Sequence, residues 1–207
     1  NRFAVNHGGY RVAGVDEAVR IEAADGTSLG LFPPPGAGVG ADLEEFIGEA
    51  TRPRRLGLLL ARQASVAVGI AEGRNLIQSK VDTHYVQSRT AAGGWSQQRY
   101  ARRRVNQARA AAASAADEVV RLLLPEVDRL AALVTGGDRR AVAAVLADPR
   151  LDPLRPLVAD RFLPVGEPRR RTLEDAVVLA RQVRILVRDP DAGGDGPPAG
   201  GRSTDAG

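Results

Sequence analysis

Apolar and polar positions change rhythm along the chain, and each change predicts an element. Residues 56–61 form a continuous apolar run. Residues 65–71 (Ser-Val-Ala-Val-Gly-Ile-Ala) alternate with a period of two, and residues 75–81 come next with Leu76, Ile77 and Val81. Strict alternation marks a strand with two distinct faces. The connections at 62–64 and 72–74 are too short for a crossover, so this region predicts a three-stranded antiparallel meander. From Ser96 the rhythm becomes helical. Ala101, Val105, Ala108, Ala112, Ala115, Val119 and Leu122 recur at spacings of four and three. That spacing predicts one helix over 96–124, with this stripe in the core and Pro125 ending it.

Shorter patterns flank these two. Residues 1–9 read as a helix end. Val19-Arg20-Ile21 alternates, Asp25-Gly26 reads as a tight turn, and 27–32 as the returning strand of a hairpin. Pro33-Pro34-Pro35 and the glycines at 36, 38 and 40 break the chain before a short helix over 42–50. Further on, the apolar run 130–135 leads into Gly136-Gly137-Asp138 and a helix over 139–146, with Asp138 as N-cap. Prolines 149, 153 and 156 interrupt the stretch after that helix. A short strand over 162–165, a helix over 172–182 and a closing strand over 183–187 complete the order. From 189 the chain holds glycine, proline, aspartate and serine without an apolar anchor and reads as disordered. The division is therefore an N-terminal hairpin and linker region over 1–50, packed on the core, a main α/β domain over 51–188, and a tail over 189–207.

Composition narrows the chemistry. The 207 residues suffice for one domain, and the chain contains no cysteine, which excludes disulfides, thiolate metal sites and a cysteine nucleophile. His7 and His84 stand far apart, so a histidine-based zinc site is not expected, and no cofactor is implied. No apolar run reaches 18 residues and no signal sequence is visible, which leads to the expectation of a cytoplasmic protein without a membrane span. The net charge is +4, and of the 29 basic residues only Lys80 is a lysine. With so much alanine, glycine and proline the arginine bias alone says little. Its clustering says more.

Between Thr83 and Ala116 there is no acidic residue, while Arg89, Arg99, Arg102, Arg103, Arg104 and Arg109 all fall there. In the midst of them stands Gly93-Gly94-Trp95-Ser96-Gln97-Gln98-Arg99, a flexible tip leading directly into the predicted helix. A glycine tip on an arginine-rich stalk suits a phosphate backbone. From spacing alone, a plain loop whose Ser96 caps the helix reads as well. A serine hydrolase does not: the second glycine of a nucleophile elbow is missing, and His84 is the only nearby histidine. A phosphate-binding P-loop is absent, since Lys80 has no glycine-rich run before it. The Gly136-Gly137-Asp138 turn reads as a strand-to-helix connection rather than a nucleotide site.

The segment from Gly93 to Arg104 closely resembles the Gly-Gly-Gln loop and adjoining helix of the middle domain of eukaryotic and archaeal class I peptide release factors. Ser96, Arg99, Tyr100, Arg102 and Arg104 fit that family's Ser-x-x-Arg-Phe-x-Arg-x-Arg pattern, with Tyr100 in the aromatic position. The glutamine position of that pattern holds Trp95. The Vms-like release factors, peptidyl-tRNA hydrolases of ribosome quality control, place the glutamine two residues further on. Their Gly-Gly-Ser-Gln and Gly-Thr-Ala-Gln loops are similar to Gly94-Trp95-Ser96-Gln97. Their actinobacterial-type branch is marked by Gly-Gly-Trp-Ser-Gln-Gln-Arg. The resemblance is most specific over 80–109 and looser over 54–187; the eukaryotic members' ankyrin and zinc-finger parts have no counterpart here.

The resemblance implies a release-factor middle domain, ribonuclease H-like, with a mixed sheet and a long helix after the loop. It implies hydrolysis of peptidyl-tRNA on stalled ribosomes or large subunits by a monomer, with the peptidyl transferase centre completing the reaction site. Gln97, with Gln98 as the alternative, would position water, and Gly93 and Gly94 would form the tip. Lys80, Arg89, Arg99, Arg102, Arg103, Arg104 and Arg109 would contact RNA phosphates. An amide does not titrate near neutral pH, so glutamine orients water rather than acting as a general base. Two rivals remain open: a non-catalytic RNA- or ribosome-binding module indifferent to Gln97, and a two-metal nuclease, for which no carboxylate cluster is evident near the loop.

Overall fold

The computed structural model describes residues 2–62, 65–83 and 96–190, and their side chains except those of 83 and 96–104. The chain begins with helix α1 (Arg2–Asn6) and three strands, β1 (Tyr10–Val15), β2 (Val19–Ala23) and β3 (Ser28–Phe32). The Asp25-Gly26 turn makes the expected hairpin: Gly26 sits at φ +87°, where glycine is unstrained, and the Asp25 carboxylate accepts from the Thr27 amide at 2.9 Å. β1 was not separable by pattern, because its register slips between Val12 and Gly14 and the alternation breaks there. Helix α2 (Leu43–Thr51) starts at Asp42, whose side chain accepts from the Glu45 amide, and buries Phe46 and Ala50 against Val19 and Ile21.

Strands β4 (Arg55–Arg62), β5 (Ser65–Glu72) and β6 (Asn75–Thr83) form the predicted antiparallel meander. Helix α3 (Ser96–Leu123) comes next as one element, and a 3-10 helix over Leu124–Arg129 takes up Pro125. Strand β7 (Ala132–Gly137) then runs parallel to β4. Asp138 caps helix α4 (Arg139–Leu146), accepting from the amides of Arg140 and Ala141 at 2.8 and 3.0 Å. Prolines 149, 153 and 156 produce a second 3-10 helix, Pro149–Leu157, rather than coil, because each ring is compatible with its tight turns. Strand β8 (Val158–Leu163) begins before the expected short strand and pairs parallel with β7. Helix α5 (Arg170–Ala180) and strand β9 (Arg184–Arg188) end the fold. β9 joins β3, not the central sheet, so the first sheet runs β1-β2-β3-β9 and the central one β6-β5-β4-β7-β8. The reading of 189–207 as a disordered tail falls, from 191 onward, outside the described residues.

Alternation explains the layering. On β4, Leu56, Leu58 and Leu60 face one way and pack with Leu173, Ala176 and Val177 of α5. Leu59 and Ala61 face the other way, with Val66, Val68 and Ile70 of β5, and meet Val119 and Leu123 of α3 and Val142 and Val145 of α4. All are buried, and burying such a side chain contributes roughly 1.5–3 kcal/mol. A mixed sheet between two helical layers is thus the α/β architecture the strand and helix order predicts.

The second 3-10 helix carries a pH-sensitive contact. Asp148 accepts from the Arg150 amide and guanidinium, and Arg150 also reaches Asp117 of α3 at 2.8 Å. The Arg150 side chain, then its amide, hold the Asp148 carboxyl down to about 2. A depressed carboxyl contributes stability above its unfolded pKa of about 3.9 and loses it as pH falls through the folded value. Asp148→Asn should therefore lower the melting temperature at pH 7, with the gap to the parent closing between about pH 4 and 2. A constant gap down to pH 2 in thermal melts would contradict this.

Candidate nucleic-acid interface

β6 is an edge strand of the central sheet, and its last pairing, Thr83 with Ser65, lies beside the turn from β4 to β5. The segment 84–95 leaves from that corner and returns at Ser96, the first residue of α3. Arg89, Gly93 and Gly94 are in this segment, outside the described residues.

α3 has 28 residues and spans about 42 Å at about 1.5 Å per residue. Its buried positions are Ala115, Ala116, Val119 and Leu123, with Ala112 partly covered. Every residue from Val105 to Ala110 is exposed, Val105 by 51%. The expected core stripe is therefore corrected in its upper part: Val105 and Ala108 continue the apolar spacing but have no sheet beneath them. The reason is length and offset together. α3 is longer than β6, whose nine residues rise about 30 Å, and it is also offset along the sheet so that only its second half packs there. The first half, about 24 Å from Ser96 to Ala112, stands clear of the core.

Gln97, Gln98, Arg99, Arg102, Arg103 and Arg104 belong to this projecting half, and their side chains lie outside the described ones. The helical period still sets which side of the axis each Cα occupies. Gln97 and Gln98 precede the buried Ala115 and Ala116 by 18 residues, five turns, so they lie on the helix side that lower down faces the sheet. Arg99 and Arg103 precede the exposed Asp117 and Arg121 by the same interval and lie on the outer side. Arg109 is exposed on α3. Lys80 is exposed on β6, opposite Val68 in the register, and so on the sheet face that α3 covers.

This corner belongs to one end of the sheet, where β4, β6, β7 and β8 all finish. The connection from β8 to α5 crosses that end, held by a hydrogen bond from the Ser65 hydroxyl to the Glu167 carboxylate. Gly136 and Gly137 close the end of β7 by packing: an added Cβ at either would lie within 3 Å of a neighbouring carbonyl, Leu163 or Ala61. They serve a strand-to-helix turn, as the sequence predicts. Among the described residues no group of three or more histidine, cysteine, aspartate or glutamate side chains is placed to hold a metal ion. No described helix is long and apolar enough to cross a membrane. A groove between Arg20, Gly30, Leu186 and Arg188 lies on the N-terminal sheet and shares no residue with the predicted site.

The chain matches the sequence model described as Actinobacteria/chloroflexi VLRF1 release factor over residues 54–186. No curated protein matches it. Among solved structures it is similar to the crystal structure of an archaeal translation termination factor, aRF1, with 18% identity and a TM-score of 0.50 over 62% of this chain and 34% of that one. A structure described as an archaeal protein aligns with 14% identity and a TM-score of 0.44, over 77% of this chain and 51% of that one. The chain thus spans about a third and about half of those two molecules. The first likeness establishes the release-factor-type α/β fold; the second is too distant to argue from. The family match takes in the whole central sheet, α3 and the Gly-Gly-Trp-Ser-Gln-Gln-Arg segment, and the chain belongs to the Actinobacteria/chloroflexi VLRF1 release factor family.

Proposed function

We propose that this protein hydrolyses the ester of peptidyl-tRNA on stalled ribosomes or large subunits in the cytoplasm, releasing the nascent chain. The observation that carries this reading is the glycine–glutamine segment inside the release-factor match, set where an edge strand hands over to a helix that stands clear of the core. A helix exposed on every side from Val105 to Ala110 has the form of an arm that enters a partner. Gln97, or Gln98 in its place, holds the attacking water, and the Gly93-Gly94 tip lets backbone approach the ester carbonyl. Amides at the tip stabilise the developing oxyanion. Ribosomal RNA supplies the rest of the reaction centre, so the chain needs neither a triad nor a cofactor. In this reading residues 51–188 carry the chemistry, residues 1–50 are packed beside them, and the protein acts as a monomer.

Arg89, Arg99, Arg102, Arg103, Arg104, Arg109 and Lys80 dock the arm on tRNA and rRNA phosphates. Ribosome affinity should then fall steeply with salt, and each phosphate contact removed by Arg→Ala at 99, 102, 103 or 104 should flatten the slope by about one unit. Co-sedimentation with large subunits between 50 and 200 mM salt (about a fourfold range) measures it. Affinity that does not change with salt would remove the phosphate role. The decisive assay for the function is single-turnover release: loaded ribosomes, purified protein, and detection of free peptide together with intact tRNA.

A further inference from the structure

Ion-paired arginines gather at one end of the central sheet more than at the other. At the end where β4 begins four of them are paired, while Arg74 and Arg181 there have no ion pair among the described residues. Arg55 bonds Glu72 at 2.6 Å and also Glu126, Arg52 and Arg54 share Glu49, and Arg129 reaches Glu126. Neighbouring carboxylates hold the Arg55 guanidinium firmly charged, Glu72 foremost.

At the opposite end, where the Gly-Gly segment leaves β6, the structure gathers Arg62 from the end of β4, Arg139 and Arg140 from the start of α4, and Arg169, Arg170 and Arg171 from the start of α5. All six are exposed. Among the described residues, one ion pair involves them, Arg170 with Glu174 at 3.2 Å, and Arg139 stacks on the Phe162 ring at 4.2 Å. The two acids nearest in sequence are already engaged: Asp138 caps α4 and Glu167 accepts from Ser65. The placement also runs against local preference. Both helices open with two arginines and no acid in the first turn, the charge sign that the positive end of a helix disfavours. A fold that keeps such a conflict in two helices meeting at one end has a use for that charge elsewhere.

The six arginines lie on both faces of the sheet end, α4 on the face that also carries the base of the projecting arm and α5 on the other. Four strand spacings of about 4.8 Å make this end roughly 19 Å wide. Gln97 and Gln98 stand on the helix side that looks back over it.

We infer that this basic rim is a second RNA-docking surface, which grips phosphates of the RNA into which the arm inserts and so fixes how deep the glutamines reach. This deepens the peptidyl-tRNA reading and rests on it. Arginine forks suit phosphate oxygens, and the Phe162 ring at this rim already lies under Arg139, so the described surface offers charge rather than a platform for stacking bases and is indifferent to sequence.

The test uses the full chain and two probes: large ribosomal subunits carrying peptidyl-tRNA, and a naked RNA hairpin of acceptor-stem length. Arg169→Ala/Arg170→Ala/Arg171→Ala is compared with Arg52→Ala/Arg129→Ala/Arg155→Ala, which removes the same charge from arginines that are ion-paired in the fold. Three lost phosphate contacts, at about 0.9 slope units each, amount to roughly 40-fold less affinity lost between 50 and 200 mM salt. The first variant should show this flattening on both probes, with a melting temperature no lower than the parent's; the control should show neither change. Equal slopes in both variants would overturn the rim as a docking surface. A loss on subunits with an unchanged hairpin would overturn RNA as the partner and point to an acidic ribosomal protein. The release reading fails separately: a parent that binds with the full slope but frees no peptide would leave the rim standing and remove the hydrolase.

Discussion

Gln97→Ala should abolish peptide release while folding and ribosome binding remain nearly intact. The stability half rests on position. Gln97 is the second residue of α3, some 15 residues before the first partly covered position of the core stripe, Ala112, so its loss should cost within about 0.5 kcal/mol. The rate half rests on chemistry. An amide that orients water contributes by positioning, and losing it should slow release on the order of 10²-fold or more. Gln98→Ala is the internal control. Its Cα is rotated about 100° along the same helix, so the two amides cannot hold one water equivalently. Gly94→Ala should also impair release, because a Cβ would be added at the tip that has to approach the ester. Single-turnover release, run beside co-sedimentation, separates catalysis from binding. Full release by both single glutamine variants and by the double variant would sink the catalytic role and favour a binding module on the same scaffold.

The parts of the fold that were legible in the sequence are those fixed by neighbours along the chain. β4, β5 and β6 alternate and turn within a few residues of each other, so their pairing needed no distant information. Asp138 was readable as a cap because a cap satisfies amides two and three residues on. Pairings between segments far apart in sequence were not legible. β9 pairs with β3 across more than 150 residues, and nothing in Arg-Ile-Leu-Val-Arg states that partner. The apolar stripe of α3 gave the face that packs but not where packing stops. Val105 and Val119 fit the same spacing, yet one is 51% exposed and the other fully buried, and only where the sheet lies beneath the helix decides between them. The arginine rim was invisible for the same reason: Arg62, Arg140 and Arg171 meet at one sheet end only because β4, β7 and β8 run parallel. The Gly-Gly-Trp-Ser-Gln-Gln-Arg segment is the reverse case, plain in the sequence as a motif and inside the family match, with no geometry described for its glycines.

Gly137→Ala should be the most damaging single methyl in the described fold. Gly137 ends β7 at φ +98°, in a region that residues with a Cβ avoid, and that strain alone costs about 1–3 kcal/mol. The new Cβ would lie 2.4 Å from the Ala61 carbonyl oxygen, well inside contact distance. Ala61 cannot simply withdraw. Its carbonyl accepts from the Asp138 amide at 2.8 Å, and its side chain is buried against the α3 layer. Moving it breaks the last link between β4 and β7 and shifts Asp138, whose carboxylate caps α4. Strain, lost hydrogen bond and weakened cap together should reach about 3 kcal/mol or more. For a chain of this size that lowers the melting temperature by roughly 6–12 °C. Gly166→Ala is the matched control, since its Cβ would meet nothing within 4 Å and its φ is not positive. The same change should reach the arginine rim. Arg139 and Arg140 come directly after Asp138, so a displaced cap tilts two members of the rim, and ribosome affinity should fall even at temperatures where the variant is folded. Thermal melts and co-sedimentation in the cold, run on both variants, test the chain of effects. A Gly137→Ala protein that melts together with the parent would mean that the β7 turn relaxes freely and does not hold α4 in place.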